Sequence, residues 1–188
     1  MNSTQPEADT SASMSKSPSI ITNKEQLQTQ FATLQALSRT QPILDWTTRK
    51  SQLDTLEKLL SENKYKLTQA INADFGQRSE GETKFAELFS SFTSISHAKK
   101  HGKSWMKTRK APISAVYLPA RNEIEPQPLG VVGVMVPWNY PLYLAIGPMI
   151  DALTAGNRVM VKMSEAAPQF AQAFAEAVSQ YLLADMVI

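Results

Sequence analysis

The sequence predicts an α/β protein: N-terminal helices followed by a strand–helix–strand–helix unit. Three observations carry this. Apolar residues recur at helical spacing as far as Trp105, a short continuous apolar run spans Val131 to Val136, and a second, Arg158-Val159-Met160-Val161, follows a helical pattern. Of the 188 residues, 43% are hydrophobic and 19% charged, so wholesale disorder is excluded. The net charge of +2 calls for neither nucleic acid nor an anionic membrane as partner. With no cysteine, disulfides, thiolate metal sites and a cysteine nucleophile within these residues are ruled out.

Residues 1–20 carry six serines and two prolines and little that can be buried, so a disordered tail is expected. They have neither the basic start nor the apolar stretch of a signal peptide, which points to a cytoplasmic protein. Residues 21–110 read as a helical segment. Thr22 and Glu25 have the spacing of a capping box, and Leu27, Phe31, Leu34 and Leu37 share a face until Pro42 breaks the helix. A second helix begins near Asp45, carries Leu53, Leu56, Leu60, Leu67 and Ile71, and stops at Asp74-Phe75-Gly76. Ser79 and Glu82 form another capping-box spacing ahead of Phe85, Phe89 and Phe92, in a helix expected to reach Trp105.

From residue 111 to 188 the pattern changes. Ser114 to Pro128 suits an extended connector or edge hairpin. The Val131–Val136 run fits a strand buried on both faces. Pro141 opens a helix that ends at Gly156-Asn157, with a kink expected at Pro148, and Pro168 to Leu183 form another helix. Met186-Val187-Ile188 reads as the start of a third strand, so the expectation is a domain cut after its first βαβ unit. No charge occurs from Pro126 to Ile150, yet Pro137, Pro141, Pro148 and Asn139 argue against a membrane span there.

In parallel sheets, ligands bind outside the carboxyl ends of the strands. The first strand ends at Pro137-Trp138-Asn139 and the second at Lys162-Met163-Ser164-Glu165, so an indole, an amide, an ammonium and a carboxylate meet on one rim. Singly, each has a plainer reading. Asn139 can cap the next helix, Trp138 can be core, and Lys162 and Glu165 can be an exposed ion pair.

Residues 128–168 resemble the start of the cofactor domain of the aldehyde dehydrogenase superfamily, through Pro-Trp-Asn-Tyr-Pro, Ala155-Gly156-Asn157 and Lys-x-Ser-Glu. The helical half is similar too, in Asp74-Phe75-Gly76-Gln77-Arg78-Ser79, Glu82-Thr83 and Ala86-Glu87. Among the branches, the chain most resembles the bacterial coniferyl aldehyde dehydrogenases and related class 3-like enzymes. The resemblance implies a Rossmann-like domain and NAD(P)+-dependent oxidation of an aldehyde to an acid, with a cysteine nucleophile and a glutamate base. It makes Asn139 the oxyanion donor, Lys162 and Glu165 the ribose ligands, and Val136, Pro137 and Trp138 the lining of the cofactor cleft. Glu165 leans the cofactor toward NAD, with NADP as the alternative. A small aldehyde is the implied partner, and a homodimer the implied assembly when full length.

Met163 stands where the family usually has proline, and nothing in the chain matches the nucleophile, the base or a glycine turn for the pyrophosphate. The chain alone is therefore expected to be inactive. A truncated, non-catalytic paralogue acting as an interaction protein is the other reading. His97 and His101 are four apart, but Lys99, Lys100 and Lys103 would repel a cation, so no metal site is expected. The basic run Lys99 to Lys110 around Trp105 reads as a solvated helix end rather than a nucleic-acid surface. No Gly-x-Ser-x-Gly nucleophile elbow occurs.

Overall fold

A computed structural model describes residues 23–181 and 186–187. The expected tail, residues 21–22, residues 182–185 and Ile188 lie outside the described residues. The first helix, α1 (Lys24–Thr40), is capped by Asn23, whose side chain accepts from the Gln26 N–H at 2.8 Å. The expected cap at Thr22 is thus displaced by one residue: Asn23 has the extended backbone and the short acceptor that the position requires. Helix α2 (Trp46–Phe75) starts at Asp45, whose carboxylate accepts from Thr48 N–H at 2.8 Å, and ends at Gly76 with φ 77°. Only glycine takes that φ without cost.

A three-residue turn of helix, α3 (Glu80–Glu82), leads into a π-helical segment, Thr83–Phe89, and then α4 (Ser90–Trp105). Ser79 makes no side-chain cap here, so the second expected capping box does not form. The aromatic face also turns out differently. Phe92 packs against the core as expected, but Phe85 is 72% exposed and stacks on the exposed Phe89 at 5.8 Å, while Thr83, Glu87, Ser91, Ile95, Ala98 and Gly102 are buried. Small residues face inward because the helices approach closely: a Cβ on Gly102 would lie 2.5 Å from the Trp46 ring.

Strands β1 (Arg109–Ala111) and β2 (Asn122–Ile124) pair antiparallel, so the expected hairpin begins earlier than Ser114. Beyond it lie β3 (Val131–Met135), α5 (Pro141–Thr154), β4 (Arg158–Lys162), α6 (Pro168–Tyr181) and β5 (Met186–Val187). The three strands form a parallel sheet in the order β3-β4-β5, with Val131 opposite Arg158 and Met135 opposite Lys162. Helix α5 continues through Pro148. The turn after it needs Gly156, which has φ 88° and would bring a Cβ within 2.6 Å of the buried Arg49 guanidinium. Asn157 fastens the strand start, its side chain accepting from Gly130 N–H at 3.0 Å and donating to Ala152 O at 3.2 Å.

One core spans both halves: Leu53, Leu60 and Ile71 of α2 pack with Ile146 and Met149 of α5, Phe170 and Phe174 of α6, and Val134 and Val161 of the sheet. All of this lies on one face of the sheet. The expectation of a strand buried on both faces therefore fails for β3: Val134 is buried, but Gly133 is exposed and Met135 is 79% exposed. On the second face α1 lies near the start of β3, with Ser38 beside Gly130. Among the described residues no helix is long and apolar enough to cross a membrane.

Candidate functional site

The parallel register brings the ends of β3 and β4 to one edge, as the rim argument requires. Val136 is buried in the core, and its N–H donates to Lys162 O at 2.9 Å, which ties the two strand ends together. Pro137, Trp138 and Asn139 follow as an exposed bridge into α5, with the Trp138 ring 6.1 Å from that of Phe75. Asn139 does not cap α5. The N-cap is Tyr140, without a side-chain bond, and Pro141 has no N–H to offer. The next two donors, Leu142 and Tyr143 N–H, go to Glu87 Oε2 at 2.7 and 3.1 Å, and Leu144 N–H begins the helical ladder on Tyr140 O. Every free donor of the first turn is thereby accounted for.

Glu87 is fully buried, and burial pushes its carboxyl up from the usual range despite the two backbone donors and Arg78. Arg78 answers its charge, Nη2 lying 3.2 Å from Glu87 Oε1. The same plan recurs at α6. Pro168 opens it, and Gln169 and Phe170 N–H donate to the two oxygens of Asp74 at 3.0 and 2.8 Å. Both caps come from the helical half. Neither was found by reasoning along the chain, because the partners are 55 and 95 residues away. One signal was available: Tyr140 and Ala167 are poor N-caps in front of proline, so the donors behind them need an acceptor from elsewhere.

At the end of β4, Lys162 Nζ pairs with Glu165 Oε1 and also donates to Met163 O at 3.2 Å. The lysine hydrogen bond holds the Glu165 carboxyl below its usual range. Both residues border a groove of about 750 Å³ whose wall is the exposed sheet face, Gly133, Met135 and Met160, with Met163 and the first turns of α6 beside it. Gly133 leaves that face open, since nothing lies within 4 Å of where a Cβ would stand. A donor and an acceptor beside an apolar groove suit a sugar diol with a flat ring against the wall. Val136, Pro137, Trp138 and Asn139 stand next to this groove's strand edge but do not line it.

Elsewhere, Lys99 turns inward to Asp54 and Glu57 at 2.5 and 2.7 Å, which removes one charge from the basic run. The His97 and His101 rings lie tilted against each other at 4.6 Å, and His101 stacks on Trp105 at 6.4 Å. Among the described residues no three His, Cys, Asp or Glu side chains are grouped to hold a metal ion.

A parallel sheet with a groove and polar residues at its strand ends is the arrangement in which open α/β proteins bind their ligands. The sequence profile of the aldehyde dehydrogenase family matches residues 19–188, and the chain belongs to that family. It is 47% identical over 143 residues to the probable coniferyl aldehyde dehydrogenase of Pseudomonas aeruginosa, covering 76% of this chain and 30% of the relative. The coniferyl aldehyde dehydrogenase of a Pseudomonas species is 38% identical over 133 residues, covering 71% and 27%. The chain thus spans less than a third of the length of these relatives. Among solved structures, substrate-bound AldH of Staphylococcus aureus superimposes with a TM-score of 0.80 at 27% identity, over 88% of this chain and 36% of that one. The aldehyde dehydrogenase of Mycobacterium tuberculosis complexed with NAD+ gives 0.60 at 25% identity, over 73% and 28%.

Proposed function

We propose that this chain supplies the cofactor-binding edge and the oxyanion donor of an NAD(P)+-dependent aldehyde dehydrogenase that oxidises an aldehyde, of the coniferyl or another aromatic or aliphatic type, to the carboxylic acid. The observation that carries the reading is the β3–β4 register, which sets Asn139 on the same sheet edge as the Lys162–Glu165 pair and its groove. Lys162 donates to a ribose hydroxyl and Glu165 accepts from one, each giving up its present partner. The Met135 and Met160 side of the groove takes the apolar surface of the base. A nicotinamide dinucleotide held there supplies the hydride acceptor. Asn139, exposed and next to the strand end, donates its carboxamide N–H to the oxygen that gains negative charge when the aldehyde is attacked. The 188 residues contain no cysteine, so the thiolate that the family chemistry calls for is not theirs to give, and the chain alone does not turn over.

The preference for NAD over NADP rests on Glu165, whose carboxylate would meet a 2′-phosphate with like charge. Pairing into a homodimer is supported by the apolar surface around β1 and β2, where Val116, Tyr117 and Leu118 are each more than half exposed.

Two measurements test the reading. Titration of NAD+ into the 188-residue chain should detect binding that Lys162→Met weakens about tenfold, the worth of one charge-assisted hydrogen bond. Equal affinity in the variant would remove the ribose assignment. In the protein expressed from its complete reading frame, Asn139→Ala should lower kcat about 100-fold or more and leave the KM for NAD+ nearly unchanged. Unchanged turnover would remove the oxyanion role.

A further inference from the structure

Arg78 leaves a surface loop, yet its side chain is only 5% exposed. Its guanidinium lies between two rings, 4.9 Å from the centroid of Phe75 at the end of α2 and 4.5 Å from that of Tyr140 at the start of α5. Nη2 faces Glu87 Oε1 at 3.2 Å and Glu82 Oε1 at 3.6 Å, but neither is a well-formed hydrogen bond, and Nε and Nη2 are left without an acceptor. The one well-formed hydrogen bond is Nη1 to the main-chain carbonyl of Asn139, at 2.6 Å. A purely structural arginine opposite a buried carboxylate would aim its fork at that carboxylate. This one spends its best donor on the backbone of Asn139.

That backbone has little else to hold it. Residues 137–139 are exposed, and among the described residues no hydrogen bond holds the Asn139 carboxamide. The flanking anchors are Val136 N–H on Lys162 O and the Glu87 cap on α5. We propose that Arg78 is a positioning residue for Asn139: by gripping its carbonyl between the two rings, it sets the direction in which the carboxamide points toward the reacting oxygen. This rests on the reading of Asn139 as the oxyanion donor. Electrostatic stabilisation of an oxyanion depends on the donor being in place beforehand, and a displacement of about 1 Å can cost about 100-fold in rate.

The experiment is a double-mutant cycle on kcat in the protein expressed from its complete reading frame. Arg78→Ala should lower kcat about 10- to 100-fold with the KM for NAD+ nearly unchanged, and Arg78→Ala with Asn139→Ala should be no slower than Asn139→Ala alone. If the double variant loses the full Arg78→Ala factor again, Arg78 acts elsewhere and the proposal fails while the oxyanion reading stands. If Asn139→Ala by itself leaves kcat unchanged, the oxyanion reading fails and takes the proposal with it. Arg78→Lys guards against misfolding: its compact ammonium keeps a charge opposite Glu87 but releases the carbonyl, so the urea midpoint should hold while kcat falls several-fold. Wild-type turnover in Arg78→Lys would overturn the proposal.

Discussion

At the junction from β3 to α5 and at the junction from β4 to α6, a proline without an N–H opens the helix and a carboxylate from the helical half accepts the next two backbone donors. The settings differ. Glu87 is fully buried with Arg78 opposite it, whereas Asp74 is only half-buried. The connecting residues differ as well. Those before α5 are gripped from outside by Arg78, while those before α6 are held locally, by Lys162 on Glu165 and by Ala166 N–H on Ser164 Oγ. On the roles proposed above, Asn139 as oxyanion donor would have to be aimed within a fraction of an ångström, whereas Lys162 and Glu165 at a ribose could adjust to their ligand. On that reading the more costly construction stands where aim matters.

Removing Glu87 is the harshest way to break this comparison. Glu87→Ala strands a buried guanidinium and two helix donors, and should cost about 3–5 kcal/mol in urea unfolding. A loss below about 1 kcal/mol would show that water replaces the carboxylate and that the junctions are alike. The pH dependence sharpens the same point. Because burial raises the folded carboxyl, the folded state keeps its proton to higher pH than the unfolded chain does. Glu87 therefore withdraws stability as pH rises from about 4.5, its ordinary value, through its raised folded value, and the withdrawal is complete above that. Glu87→Gln should lose that falling component in a pH series of unfolding midpoints. An unchanged slope would mean the carboxylate is better solvated than its burial implies.

Asp74→Ala should cost about 1 kcal/mol, the ordinary worth of a helix cap, with Asp74→Asn between wild type and Ala because its single amide oxygen can accept from only one of the two N–H groups. A loss as large as that of Glu87→Ala would erase the difference between the junctions. The smallest effect is expected at the rim. Glu165→Gln should leave the unfolding midpoint where it is, since the carboxylate is exposed, yet weaken NAD+ about 3- to 10-fold and NADP+ less. Equal weakening of both cofactors would show that the residue does not face the ribose.

Reading along the chain recovered what is local. Asp45 and Gly76 bound α2 because a cap and a left-handed glycine act within a few residues of themselves. The rim residues were legible because strand order and strand ends follow from pattern. The inward face of the π-helical segment and α4 was not. Its buried stripe mixes Leu88, Ile95 and Ala98 with Thr83, Glu87, Ser91 and Gly102, small or polar residues that allow close approach and cap another helix, whereas hydrophobicity pointed also at Phe85 and Phe89, which are exposed. The exposed side of β3 was equally hidden, since an apolar run does not say how many faces a neighbour will cover.

The reach of the two caps also bears on the order in which the molecule assembles. Asp74 and Glu87 leave the ribosome well before the helices they terminate, so the helical half presents both acceptors while α5 and α6 are still being made. Each βα step then closes a loop of 55 or 95 residues onto a waiting site, an entropic cost that grows only slowly with length but delays the docking event. The amino-terminal helices in this sense serve as the template on which the sheet is laid down strand by strand.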